Sequence, residues 1–174
     1  IRSSYASMIL PRRLSKLASY GSSLLVAENF TTSQSTTGSF ALTGSTVSDG
    51  VIYGTCNEFT RVAFTSSQYT NLTGAGITTS TGKWYAFTVD FKVTAGNPSM
   101  LVWDRSTSQW ATNMTVPELD RWYTFGAVGY ADAAHTMFLD WRGSDEDCTW
   151  RASAFQVLEF DSRAEAEDYL ASRT

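Results

Sequence analysis

Lys83-Trp84-Tyr85-Ala86-Phe87-Thr88-Val89-Asp90-Phe91-Lys92-Val93 repeats with a period of two. In an extended chain Tyr85, Phe87, Val89, Phe91 and Val93 fall on one side, and Trp84, Ala86, Thr88, Asp90 and Lys92 on the other. A helix, at about 3.6 residues per turn, would scatter both sets around its axis. The stretch is therefore a strand with one face committed to a core.

Reading outward, shorter runs of the same kind lie at residues 24–30, 39–43, 51–56, 59–64, 100–103, 109–112, 122–130, 136–142 and 148–160. Gly, Ser, Thr and Asn clusters separate them. About ten strands without intervening helices predict an all-β fold, an antiparallel sandwich or jelly roll. Composition agrees, since aromatics reach 14% of the 174 residues while Lys, Glu and Leu are scarce. The Ser/Thr-rich stretches 31–48 and 65–82 carry Phe40, Leu42, Val47, Tyr69, Leu72 and Ile77, so they read as strands and loops rather than linkers. One C-terminal helix is expected over residues 161–172. Asp161 or Ser162 caps it, Glu165 completes a capping box, and Ala166, Tyr169 and Leu170 form a narrow stripe for the sandwich.

The net charge of −4 is unevenly spread. Residues 1–23 hold Arg2, Arg12, Arg13 and Lys16 and no acid, leaving nine Lys/Arg against seventeen Asp/Glu for the rest. An acidic body is unfavourable for nucleic acid, whose binding depends on neutralised phosphates. The leader reads as a basic arm over 1–23, with a short amphipathic helix after Pro11. It is expected to dock on its own domain, a sister subunit or a larger assembly, with Arg2, Ile9, Leu10, Arg12, Arg13, Leu14, Lys16 and Leu17 as the assembly contacts; a solvated tail is the plainer alternative. The sandwich then spans 24–160 and the helical tail 161–174. No apolar run approaches the roughly 20 residues of a membrane helix. Cys56 and Cys148 are the only cysteines, and either a bridge or two buried thiols fits them.

No motif for a nucleophile, a phosphate cradle or a resident metal occurs, so no cofactor and no catalysis are expected. His135, the single histidine, reads as a surface or edge residue at a turn. Asp145, Glu146 and Asp147 offer hard oxygens on a turn but lack calcium-loop spacing, so a solvated hairpin tip is the better reading. Asp90, Asp104, Asp120 and Asp140 are the acids from which a glycoside-cleaving pair would be drawn. The aromatics say more. Trp103, Asp104 and Arg105 on one side and Trp110 on the other flank the polar turn Ser106-Thr107-Ser108-Gln109. Flat indoles beside directional polar groups suit a sugar, and these four residues are the candidate glycan site.

Residues 82–93 resemble the middle strand of jelly-roll carbohydrate-binding modules of the cellulose- and xylan-binding type. Leu119-Asp120-Arg121-Trp122-Tyr123-Thr124-Phe125 resembles the strand that follows there, and Ala154-Phe155-Gln156-Val157-Leu158-Glu159 the closing strand. The likeness covers roughly residues 24–160. Similar modules occur in bacteriophage tail spikes, tail fibres and capsid decoration proteins, and the acidic, Ala-rich helix after the closing strand looks most like these. The resemblance implies a virion structural protein that assembles through its arm, binds other capsid or tail proteins, forms a homo-oligomer (a trimer being the leading form) and meets a cell-surface glycan. The alternative is a carbohydrate-binding module of a secreted glycan-active enzyme. A glycan-degrading enzyme is the third reading.

Overall fold

The computed structural model describes residues 6–11, 24–27, 33–34, 40–42, 47–49, 55–61, 69–73, 76–107, 109–110, 114–142 and 146–173. In chain order the strands are β1 (Ala6–Pro11), β2 (Leu24–Ala27), β3 (Ser33–Gln34), β4 (Phe40–Leu42), β5 (Val47–Ser48), β6 (Thr55–Arg61) and β7 (Tyr69–Asn71). Then follow β8 (Ile77–Thr78), β9 (Lys83–Ala95), β10 (Ser99–Asp104), β11 (Gln109–Trp110), β12 (Tyr123–Ala131), β13 (Thr136–Arg142), β14 (Cys148–Phe160) and the helix α1 (Arg163–Ser172). They form two antiparallel sheets. The larger has the order β1-β12-β9-β14-β6-β4, with β2 on β14 and β5 on β6; the smaller runs β11-β10-β13-β7-β3, with β8 on β13.

The alternation in β9 does what its period requires. Tyr85, Phe87, Val89, Phe91 and Val93 lie between the sheets, packed with Met100 and Val102 of β10, Leu139 and Trp141 of β13, and Trp150 of β14. Each such large apolar side chain contributes about 1.5–3 kcal/mol on leaving water. The opposite side of β9 is also covered. Ala86, Val128, Leu158 and Phe160 meet Ala166, Tyr169 and Leu170 of α1, the stripe expected of the helix. Ser162 is the N-cap and shares a capping box with Glu165. The helix comes so close that a Cβ on Gly126 would stand 2.1 Å from Leu170 Cδ1. Beneath it runs a polar row: the Tyr169 hydroxyl donates to Gln156 Oε1 at 2.6 Å and lies 3.1 Å from Thr88 Oγ1.

The core face of β14 changes parity midway. Trp150 and Ala152 point inward, and so do Phe155 and Val157. The register shifts between Ser153 and Gln156, and Ala154 takes a positive φ of 53°. This is a β-bulge, and the extra residue turns the second half of the strand over.

Two expectations are corrected. Ala6–Pro11 is not a free arm: it pairs antiparallel with β12, and Ile9 and Leu10 stand opposite Phe125 and Thr124. Ile9 and Leu10 therefore commit their backbone to this domain. Pro11 sits at the end of a strand paired on one side, where a missing N–H is tolerated. Arg2, Arg12, Arg13, Leu14, Lys16, Leu17 and the helix expected after Pro11 lie outside the described residues. Second, residues 51–56 and 59–64 were expected as two strands, yet Thr55–Arg61 is continuous. Asn57 and Glu58, read as a break, pair with Ala152 and Arg151.

The same register settles the cysteines. Cys148 stands opposite Arg61, five residues along β6 from Cys56. At about 3.3 Å per residue that is roughly 16 Å, far beyond disulfide reach. Both are buried thiols that form no disulfide. Cys56 lies beside an ion-pair cluster on the outer face of the larger sheet. There Lys92 Nζ is 2.6 Å and an Arg151 nitrogen 3.3 Å from Asp49 Oδ1, and Arg151 Nε is 2.8 Å from Glu58 Oε2. Burial, reinforced by the Asp49 carboxylate, pushes the Cys56 thiol up to about 11. In the folded protein neither thiol should react with a bulky disulfide reagent at about pH 8, and both should react once denaturant is added. Between the ordinary value of 9.0 and about 11 the unfolded chain ionises Cys56 first, so the fold loses stability as pH rises through that window. Rapid labelling of the native chain would contradict this.

Candidate functional site

At the edge of the smaller sheet, β10 and β11 form a short hairpin. Its register sets Trp103 opposite Trp110 and Asp104 opposite Gln109. On its other flank Trp103 faces Phe138 of β13. Met100 and Val102 belong to the core, so the alternation of β10 turns Leu101 and Trp103 to the outer face of this sheet. Phe138, Trp103 and Trp110 thus hold adjacent register positions across three strands. Phe138 is buried and Trp103 half-buried. Phe138 is walled by Gly76, where a Cβ would come within 3.0 Å of its ring; the positive φ of 99° also suits glycine alone.

The turn after Asp104 is held from below. Asp104 is buried, and its Oδ1 accepts hydrogen bonds from the backbone N–H of Ser106 at 2.9 Å and of Thr107 at 3.4 Å. Its Oδ2 accepts from Thr107 Oγ1 at 2.8 Å and pairs with His135 Nδ1 at 2.7 Å. Burial alone would raise this carboxyl, but the bonds from Thr107, aided by the His135 charge, bring it below its ordinary value. The Arg105 N–H donates to the Thr136 carbonyl at 2.9 Å, while the Arg105 side chain is exposed. Sequence reasoning placed Asp104 among the sugar contacts. Its burial makes it the support of the turn that presents Arg105.

His135 is the residue the sequence misjudged most. It is 5% exposed, not a surface histidine. Its Nε2 lies 2.9 Å from Asp132 Oδ1, and its backbone N–H donates to Thr79 Oγ1 at 2.9 Å. A hydrogen bond from His135 lowers the Asp132 carboxyl. No local motif announces this arrangement, because Asp104 and His135 are brought together only by the pairing of β10 with β13.

The four acids considered for glycoside cleavage do not converge. Asp90 is buried on the outer face of the larger sheet, where it accepts from Thr124 Oγ1 at 2.7 Å. Asp140 is buried in the smaller sheet opposite Leu101, and Asp120 is an exposed loop residue with a φ of 57°. Glu146 and Asp147 are exposed, and Asp145 lies outside the described residues. Among the described residues no group of three His, Cys, Asp or Glu side chains gathers as metal ligands would. No helix there is long and apolar enough to cross a membrane.

Two sheets and a short terminal helix define an antiparallel β-sandwich of jelly-roll type, and carbohydrate-binding modules of known structure share this fold. The chain superposes on the family 22 xylan-binding domain from Paenibacillus barcinonensis xylanase 10C with a TM-score of 0.54 at 12% identity, over 80% of this chain and 94% of that one. It also superposes on the family 22 and catalytic modules of Clostridium thermocellum endo-1,4-β-D-xylanase 10B, solved with xylohexaose, at 0.53 and 12% identity. That match covers 78% of this chain but only 28% of the xylanase chain. The enzymatic domain of bacteriophage CBA120 tailspike protein 4 aligns at 0.47 and 13% identity, over 76% of this chain and 19% of that one. No family model and no curated protein matches the sequence.

Proposed function

We propose that this domain is a non-catalytic glycan-binding module that works outside the cell and takes its ligand on the β10–β11 hairpin. One observation carries the reading: Trp103 and Trp110 are paired in register at a sheet edge, beside a turn whose backbone is fixed by Asp104 and whose exposed side chain is Arg105. A pyranose presents an apolar C–H face and a rim of hydroxyls. An indole matches the first and a guanidinium held at a set height matches the second. Little is then spent on ordering the loop when sugar binds. The fold shared with xylan-binding domains supports this reading, and it supports a virion role less. The virion reading relied on residues 1–23 as a gripping arm, and Ala6–Pro11 is engaged in the domain's own sheet.

The test is a glycan array that includes xylohexaose, followed by titration of the strongest hit. Trp103→Ala and Arg105→Ala should each weaken binding by about 10- to 30-fold, corresponding to roughly 1.5–2 kcal/mol for a central contact. Thermal unfolding should move little for Arg105→Ala, whose side chain is exposed. An array with no hit, or a hit whose affinity ignores both substitutions, would overturn the assignment.

A further inference from the structure

Arg105 is set apart from the other basic residues by how its charge is met. Lys83 pairs with Asp161, Lys92 and Arg151 with Asp49, Arg121 with Glu118, Arg163 with Glu167 and Arg173 with Asp90. Among the described residues Arg105 is the Lys or Arg side chain that pairs with no carboxylate. Exposure does not account for the difference, because Lys83, Arg121 and Arg163 are also exposed to solvent and are paired all the same.

Two acids belong to this end of the fold, and both are turned to other partners. Asp104 commits its oxygens to Ser106, Thr107 and His135, and Asp132 Oδ1 lies on the far nitrogen of the same imidazole. An arginine held in an ion pair must give that pair up before it can take a ligand's anion; Arg105 has none to give up. Its backbone is already fixed. The Arg105 N–H donates to the Thr136 carbonyl at 2.9 Å, and the Thr136 N–H donates back to Ser106 Oγ at 3.1 Å. The chain as a whole carries −4 and repels anions at a distance, so any attraction for one has to be local.

We infer that Arg105 is the specificity-determining residue of the β10–β11 site and that the ligand is an acidic saccharide, whose carboxylate the guanidinium takes. The inference rests on the glycan-binding reading of this hairpin and narrows it from sugars in general to uronate- or sialate-bearing ones. A ring hydroxyl needs a single hydrogen bond, which an amide or a hydroxyl side chain supplies. A carboxylate matches the planar fork of a guanidinium, which offers two parallel N–H groups and a full opposite charge. Arg105 follows Trp103 by two residues, so one pyranose can rest its C–H face on the indole while a carboxylate on its rim reaches the guanidinium. The indole recognises the ring, and Arg105 the charge.

The test uses the full chain on an array of uronic- and sialic-acid oligosaccharides, each beside its methyl ester, with neutral and sulfated glycans alongside. Esterification removes the charge and leaves the ring. The acid of a bound pair should be held about tenfold more tightly than its ester, the size expected of an exposed charge-assisted contact. Raising salt from about 0.05 M to about 0.5 M should erode that preference. Arg105→Gln should bring the ratio of acid to ester close to one, and Arg105→Lys, which keeps the charge without the fork, should retain part of it. Trp103→Ala should weaken both members of the pair and leave their ratio alone. The Arg105 side chain is exposed, so its replacement leaves folding intact. Acid and ester bound equally, a preference that survives in Arg105→Gln, or sulfated glycans held above carboxylated ones would each overturn the inference while the binding site stands. An array blank for neutral and acidic glycans alike defeats the binding reading itself, and the inference with it.

Discussion

Trp150→Ala should lower the unfolding free energy by about 3–5 kcal/mol, the range for truncating a large aromatic in a closed core. Trp150 is fully buried and joins three strands. It stands opposite Val93 of β9 and Phe59 of β6 in register, and its ring stacks on Phe59 at 5.6 Å and 13°. It also meets Trp141 of the smaller sheet at 4.8 Å, and Trp141 in turn meets Phe91 edge-on at 5.3 Å. Removing the indole therefore opens a cavity at a place where these strands and both sheets share a contact. The surrounding rings are planar and pinned, so they cannot collapse far into it. Trp150→Phe should be much milder, near 1 kcal/mol, because the ring stack is retained and an indole N–H without a hydrogen-bond partner among the described residues is lost with the second ring. Urea unfolding of both variants checks this. Equal losses for the two would show that the stack contributes little.

Asp90→Ala should cost a comparable amount, about 3–5 kcal/mol, by a different route. Asp90 is wholly buried, accepts from Thr124 Oγ1, and lies 3.6 Å from an Arg173 terminal nitrogen. Arg173 is itself 3% exposed; it donates to the Ala154 carbonyl at 3.3 Å, and its Nε and other terminal nitrogen have no hydrogen-bond partner among the described residues. Without Asp90 a guanidinium stays buried with its balancing charge gone. Its one escape is to lift the end of α1. Hydrogen exchange should therefore quicken in residues 166–173 before it does elsewhere. Adding Arg173→Met should restore part of the loss, because the stranded charge is then gone. A double variant as damaged as the sum of the two single ones would sink the argument.

Much of this fold was legible because its strongest signals are local. The alternation from Tyr85 to Val93, the capping box at Ser162 and Glu165, and the stripe of Ala166, Tyr169 and Leu170 are each written within a dozen residues. What escaped depends on partners far along the chain. Ala6–Pro11 looks like a loose leader until β12 is placed beside it. The bulge at Ala154 is not announced by a Gly or Pro, since residues 152–155 read Ala-Ser-Ala-Phe. At the site, the aromatic pair was readable from the spacing of Trp103 and Trp110. The roles of Asp104 and His135 were not, since a carboxylate that touches a ligand and one that supports a turn have the same sequence.

The order in which the strands join has a consequence for synthesis. β14 comes last of all the strands and yet lies in the interior of the larger sheet, bonded to β9, β6 and β2. A ribosome delivering about 5–20 residues per second makes β9 several seconds before the strand that must sit beside it. Until Phe160 emerges, β6 and β9 present open edges and their aromatic faces have no lid. The nascent chain is then at its most adhesive, and such long-range pairing is also slow once the chain is complete. A ribosome-bound intermediate ending before Cys148 should therefore recruit chaperones, and one extended past the helix should release them.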